Sequence, residues 1–465
     1  MQTGEVDQFA VLIRDRLRAW GGRGPSSRRL ADALDSLARA GTLAPGSRLP
    51  SERDLARALG LSRGTVAVAF NLLCEQGLFE RRHGSGTYLA AGAEDAGSPV
   101  ARLLRPGTVL ADLSTSVVPD AAHLRLPALD LTELLRGGHG YDVMGDVRLR
   151  GQLRERLGVD PLITNGAQQG IDLIARALVR RGDVVLVEDP TYPGALAAFH
   201  RAGAQLVPVT TDADGLDPAA FRRAVEQHRP VLAYLMGVHN PTGDVISPDR
   251  AAALGAIAKA EDLVLVEDRT LAELVHSGDT PPPLADVHPH GTVTVGSLSK
   301  VLWGGLRVGW VSAAEPLLAR ITEVKQDADL ATSTVSQRLA AALLDQAVIA
   351  DWRTELVRRR DQLTAALHRQ LPEWTWRAPR GGLSVWVRLP GTDTDRFAEL
   401  ARDHGVAIAP GSLFAPTGRH RDHARLSFAL SPELLDQAVT NLAHAWHAHH
   451  ADPVRTHPRH PTTPI

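Results

Sequence analysis

The chain has 465 residues, is 44% hydrophobic and 22% charged, and carries a formal net charge of −2. This is the balance of a globular protein of two to four domains, with no global nucleic-acid signature but room for a local basic face. A single cysteine, Cys74, excludes an intramolecular disulfide and a cysteine-based zinc cluster. No apolar run reaches the ~18 residues of a membrane span, and no basic, then apolar, leader opens the chain. The expected location is the cytoplasm. Lysine occurs only at Lys259, Lys300 and Lys325, while arginine does all other basic work. A retained lysine is therefore a better functional clue than any arginine.

Residues 1–23 form an amphipathic extension, "FAVLIRDRLRAW", whose Phe9, Leu12, Ile13, Leu17 and Trp20 recur at helical spacing. It reads as a helix packed on a neighbour. Residues 24–89 read as three helices and a hairpin, and residues 90–108, rich in Ala and Gly, as a linker. From 109 to 448 apolar runs alternate with helical segments, the βαβ rhythm of an α/β domain with a mostly parallel central sheet. "DVVLVED", "RPVLAYLMG", "DLVLVED" and "HGTVTVGSLS" are its buried strands. A smaller C-terminal α+β subdomain follows from about Trp352, with strands "GGLSVWVRL" and "HARLSFAL". The His- and Pro-rich tail, 449–465, reads as disordered, and no metal site is expected in it.

Within 24–89, "PGSRLP" turns into a helix capped by Ser51, with Asp54 three residues on. "ALGLS" is the tight turn between two helices, with Gly60 free to take a left-handed conformation. Ser62 caps the second helix, and "LFERRHGSGTYLA" reads as a two-stranded wing. Recognition helices present their N-terminal residues to base edges, which places Arg63, Gly64 and Thr65 at DNA. Ser62, Thr65 and the helix N-terminus suit phosphate, and Arg48, Arg53, Arg81, Arg82 and His83 add basic groups. The stretches "PGSRLPSERDLA", "LSRGTV" and "RRHGSGT" resemble the winged helix-turn-helix of the GntR family. That resemblance implies that Arg53, Arg63, His83 and Gly84 touch DNA.

In the large domain, "ITNGAQQG" runs a strand into a helix through a glycine and offers free N–H groups to a phosphate. "EDPTYPG" presents Tyr192, an aromatic face able to stack on a flat ring. "VHNPTG" places Asn240, "VEDRT" places Asp268, and "GSLSKVLWGGLRVGW" places Lys300. All lie at strand ends, where α/β sheets bind ligands. A phosphate-bearing aromatic cofactor that needs a lysine, an acid and a stacking ring is pyridoxal 5′-phosphate (PLP).

Set and order resemble the aspartate aminotransferase superfamily, fold type I of the PLP enzymes, over about residues 110–447. By that resemblance Lys300 forms the internal aldimine, and Asp268 pairs with the pyridinium nitrogen. Asn240 bonds the ring oxygen and Tyr192 stacks on the ring. Gly166, Ala167, Gln168, Ser297, Ser299 and Arg307 hold the phosphate. Arg425 binds a substrate or effector carboxylate, and Tyr141 matches a tyrosine that reaches a neighbouring subunit's phosphate. Two features depart from the pattern. Thr270 and Leu271 stand where a tyrosine normally bonds the ring oxygen, which counts against efficient transamination. The segment before the phosphate loop is short, "GVDPL" only. Trp303 stands where relatives commonly carry a smaller residue.

A GntR-like reader fused to such a body resembles the MocR group of bacterial transcription regulators. The resemblance implies a PLP-dependent regulator that senses an amine, an amino acid or PLP itself through aldimine chemistry at Lys300. It also implies a head-to-tail homodimer on operator DNA. The alternative is a working aminotransferase whose DNA-binding domain is vestigial.

Overall fold

The computed structural model describes residues 9–11, 13, 26–39, 46–75, 78–82, 86–89, 99–104, 109–118, 123–136, 138–344 and 348–451. The wing tip with His83 and Gly84, the segment 90–98 and the tail from 452 lie outside the described residues. So do Leu12, Leu17 and Trp20. The chain forms two compact units, Met1–Ser98 and Pro99–Ile465.

In the first unit, α1 (Ser26–Arg39), α2 (Glu52–Leu59) and α3 (Arg63–Glu75) precede an antiparallel pair, β1 (Phe79–Arg82) and β2 (Gly86–Leu89). Ser51 Oγ accepts the Asp54 amide at 3.2 Å and donates to the Asp54 carboxylate at 2.6 Å, which starts α2. Gly60, at φ 70°, ends it. Ser62 Oγ accepts the Thr65 amide at 3.1 Å and starts α3 one turn later. Two caps and one left-handed glycine thus set the helix-turn-helix. Leu34, Leu55, Val66, Phe70 and Phe79 close the core, joined by Phe9 and Ile13 from the helical residues ahead of α1.

The second unit is built on an eight-stranded sheet. Its strands are β4 (Leu162–Thr164), β5 (Val184–Asp189), β6 (Gln205–Asp212), β7 (Gly215–Leu216), β8 (Leu232–Met236), β9 (Val264–Asp268), β10 (Thr292–Ser297) and β11 (Gly309–Ser312). The spatial order is β4-β11-β10-β9-β8-β5-β6-β7. From β10 to β6 every neighbour is parallel, and β11 runs antiparallel to both of its neighbours. Val185 and Val187 enter one core layer while Leu186 enters the other. Burial on both faces is why these strands are continuous apolar runs. The helix α4 (Gly166–Leu178) follows β4, and α5 (Pro193–Arg201) follows β5.

The smaller subdomain has a four-stranded sheet of β12 (Thr375–Trp376), β13 (Ser384–Arg388), β16 (His423–Ser427) and β15 (Ala409–Pro410), in that spatial order. It does not start near Trp352 alone. β3 (Ala111–Asp112) pairs in parallel with β14 (Val406–Ala407), so residues just past the linker belong to it too. A two-residue strand whose partner lies almost three hundred residues away leaves no local periodicity to read. Among the described residues no helix is long and apolar enough to cross a membrane.

Candidate cofactor site and nucleic-acid interface

Because β5, β8, β9 and β10 run parallel, their carboxyl ends share one edge, where Tyr192, Asn240, Asp268 and Lys300 end or follow these strands. Gly166 opens α4 at φ 75°, and a Cβ on it would lie 2.8 Å from Arg307 Nη2. Only glycine lets the guanidinium come this close. Arg307 itself sits at φ 53°, an unfavourable conformation for a side chain that size, and donates to the Asn165 carbonyl at 3.0 Å. Ser297 Oγ accepts the Ser299 amide at 3.1 Å. Ser299 Oγ is buried and lacks a hydrogen-bond partner. A helix N-terminus, an arginine fork and an orphaned buried hydroxyl fit a phosphate group.

This cup has a brace that sequence reasoning missed. Lys325, fully buried, bonds Asp329 Oδ1 at 2.5 Å. Asp329 Oδ2 accepts from Asn165 Nδ2 at 3.0 Å and Gln169 Nε2 at 2.7 Å. The third lysine of the chain thus holds the turn that presents Gly166. Its signal was only the rarity of lysine.

Lys300 follows β10 and donates to the Ser116 carbonyl, contributed by the segment after β3. Burial, with Arg425 and Arg307 adding, pushes its amine down to about 8. That produces a nucleophile near neutrality, which arginine would not provide.

Asp268 ends β9. Its Oδ1 accepts the Thr270 amide at 2.9 Å, and its Oδ2 accepts the Tyr234 hydroxyl at 2.5 Å. Tyr234, on β8, is wholly buried, and that burial raises its phenol well above the usual range, so it remains a donor. Glu188, at the end of β5, accepts the Met236 amide at 2.9 Å. Burial raises its carboxyl well above the usual range, and the Asp268 charge adds to the effect. Neither residue was singled out from the sequence, because inside an apolar strand a lone polar residue reads as core.

Tyr192 donates to Gln168 Oε1 at 2.9 Å, and Gln168 Nε2 donates to the Gly194 carbonyl at 3.0 Å. The Gln168 side chain therefore fixes the aromatic ring, and Ala167 and Gln168 lie in the first turn of α4. Burial pushes the Tyr192 phenol up to about 12. Arg425, on β16, is buried. It donates to Asn240 Oδ1 at 2.9 Å and to the Ser114 carbonyl, and it lies 4.8 Å over the Phe414 ring. Its Nε is buried and has no hydrogen-bond partner. Tyr141 stays outside this set, 69% exposed.

In the reader, Arg53 and Arg63 extend into solvent. Glu52 bonds Arg81 at 2.9 Å and lies 3.9 Å from Arg63, which holds two basic groups on one face. The Arg48 side chain lies beside Gly86 of the wing. Ser62 and Thr65 hydroxyls bond each other at 2.8 Å. At Gly64 a Cβ would meet nothing nearer than Ser62 Oγ at 3.8 Å. The fold does not require that glycine, whereas close approach of a nucleic-acid backbone would.

An amine poised beside a phosphate cup and a strand-end carboxylate defines the class. This is an aminotransferase-type protein whose cofactor is PLP, and it carries a DNA reader. Comparison agrees. Residues 136–442 match the family "Aminotransferase class I and II", and residues 26–89 match "Bacterial regulatory proteins, gntR family". The chain is 28% identical over 486 residues to the HTH-type transcriptional regulator TauR of Rhodobacter capsulatus, covering 94% of this chain and 100% of that one. It is 34% identical over 318 residues to a 2-aminoadipate transaminase of Thermus thermophilus, covering 65% and 79%. The structure of LysN, an α-aminoadipate aminotransferase of Thermus thermophilus complexed with N-(5′-phosphopyridoxyl)-L-leucine, superposes with a TM-score of 0.68. It is 29% identical and covers 76% of this chain and 96% of that one. The chain belongs to the aminotransferase class I and II family, in the branch fused to a gntR-type reader, the MocR-type transcription regulators.

Proposed function

We propose that the chain is a bacterial, cytoplasmic homodimer that binds operator DNA through the reader and senses an amine or amino acid at Lys300. Lys300, Asp268, Asn240, Tyr192, Arg425 and the cup of Gly166, Ala167, Gln168, Ser297, Ser299 and Arg307 form the sensing site. The observation that carries this is a buried amine depressed to about 8 and, acting on it, a buried, partly unpartnered arginine, in a chain with a reader. PLP, when bound, supplies an aldehyde for amines and a ring that accepts electrons. An effector amine would compete with Lys300, and its carboxylate would take the open donor of Arg425. Asn240 Oδ1 is already engaged by Arg425, so its Nδ2 is the donor left for the ring oxygen.

Tyrosine use supports sensing over turnover. The chain has four tyrosines. Tyr88 is in the wing, Tyr141 is on the surface, Tyr192 is tied to Gln168, and Tyr234 is tied to Asp268. None stands in the segment after Asp268, where Thr270 follows. The exposed Tyr141 suits contact with a second copy in a head-to-tail dimer, which would place two readers on two half-sites. Arg48, Arg53, Ser62, Arg63, Gly64, Thr65, His83 and Gly84 are the proposed DNA contacts.

The test is footprinting on the chain's own genome, with wild type and Lys300→Ala, against a panel of amino acids. Protected sites whose occupancy shifts with an effector only in the wild type are expected. No protected site in either protein would end the regulator reading. An identical response in both would remove Lys300 from sensing. A response to PLP alone would make the cofactor itself the signal.

A further inference from the structure

Asp268 is held from behind in a way that the cofactor's own contacts do not require. Its two oxygens each take one protein donor, the Thr270 amide and the Tyr234 hydroxyl. Tyr234 sits two strand positions before Met236, which lies opposite Asp268 in the parallel β8–β9 register. Its ring packs edge-on against Phe199 at 5.9 Å, inside an apolar layer formed by Val187, Val266 and Leu196. A phenylalanine would satisfy that packing. The hydroxyl has a purpose only through its 2.5 Å bond to Asp268.

We propose that Tyr234 is a positioning residue that keeps the Asp268 carboxylate aimed, and so sets the protonation of the PLP ring nitrogen. A hydrogen bond donated to a carboxylate favours its charged form, and in a buried site this counts against the cost of desolvation. Four ionisable groups, Tyr234 included, act on Asp268 or are acted on by it. Glu188 at the end of β5 is buried, and burial raises its carboxyl well above the usual range, with the Asp268 charge adding to the effect. Tyr192 ahead of α5 remains a neutral phenol. Lys300 after β10 is attracted by Asp268. Tyr234 itself is the only side chain among them that bonds Asp268 directly. The proposal rests on the reading that Asp268 faces the ring nitrogen.

The test uses the full chain loaded with PLP, as wild type, Tyr234→Phe and Glu188→Gln. Two signals are read: the pH midpoint of the cofactor's near-visible absorbance band, and the nitrogen-15 NMR shift of ring-labelled PLP. A ring nitrogen that loses its proton no longer repels the proton at the Lys300 linkage, so the midpoint must rise. In Tyr234→Phe a rise of about one pH unit, a tenfold change in the proton equilibrium, is expected. The nitrogen-15 signal should move toward the unprotonated position. Glu188→Gln, which leaves the Tyr234–Asp268 bond in place, should leave both signals within a small fraction of that change. Equal thermal midpoints of the apo forms separate this from loss of fold. A band and a nitrogen-15 signal unchanged in Tyr234→Phe, or a lower midpoint, would overturn the proposal. Absence of any Lys300-dependent band in the wild type would instead overturn the PLP reading beneath it.

Discussion

Replacing Lys325 by methionine removes the cation behind the phosphate cup while keeping most of the side-chain volume. Lys325 is fully buried, and its partner Asp329 has an 18%-exposed side chain. Breaking a buried pair by deleting one partner costs about 3–5 kcal/mol, because the remaining charge is uncompensated. Asp329 keeps the Asn165 and Gln169 amides at 3.0 and 2.7 Å and some water, which places the expected loss near the lower end, about 3 kcal/mol. Urea unfolding followed by tryptophan fluorescence measures it, since seven of the eight tryptophans lie beyond residue 98. In Lys325→Met/Asp329→Asn the orphaned charge is gone, so the double variant should recover at least about 1 kcal/mol over the single one. The same single variant should bind PLP more weakly, because Asn165 carries the turn into Gly166. A loss below about 1 kcal/mol, or a double variant no better than the single one, would refute the brace.

Three further outcomes follow from the geometry. Gly166→Ala forces a Cβ into a left-handed backbone and to within 2.8 Å of Arg307. PLP affinity measured by titration of the apo-protein should fall by about tenfold or more, given a strain of about 1–3 kcal/mol. Gly64→Ala has open space around the new methyl, so thermal stability should hold or rise by up to about 1 kcal/mol. Operator affinity by fluorescence anisotropy should nevertheless drop, and an unchanged affinity would remove Gly64 from the interface. Lys300 is held near 8, against an ordinary 10.5, so its folded form releases its proton first. Between about pH 8 and pH 10 the unfolded chain binds more protons, and apo-protein stability should gain from Lys300 as pH rises through that window. Lys300→Met should lose that increment in urea melts. The rate of PLP capture by the wild type should climb about tenfold per pH unit up to about pH 8 and then level off.

The reader and the ligand-bearing edge of the sheet were legible in the sequence because their physics is local. A cap at Ser51 or Ser62, a left-handed Gly60, and apolar runs ending in Asp268, Asn240 or Lys300 each depend on a few neighbouring residues. Parallel strands then force those ends to one edge, so order along the chain was enough to gather the site. Tertiary structure alone decided the rest. Tyr234 looked like core until β8 lay beside β9 and gave its hydroxyl to Asp268. Lys325 was only a rare residue until α-helical packing buried it behind Asn165. The Ser114 and Ser116 carbonyls that meet Arg425 and Lys300 arrive because β3 pairs with β14 across almost the whole domain. These are contacts between distant segments, made by groups with no periodicity or motif of their own. The sequence determined which chemistry is present and on which elements. Packing determined which buried donors hold that chemistry in its charge state and position.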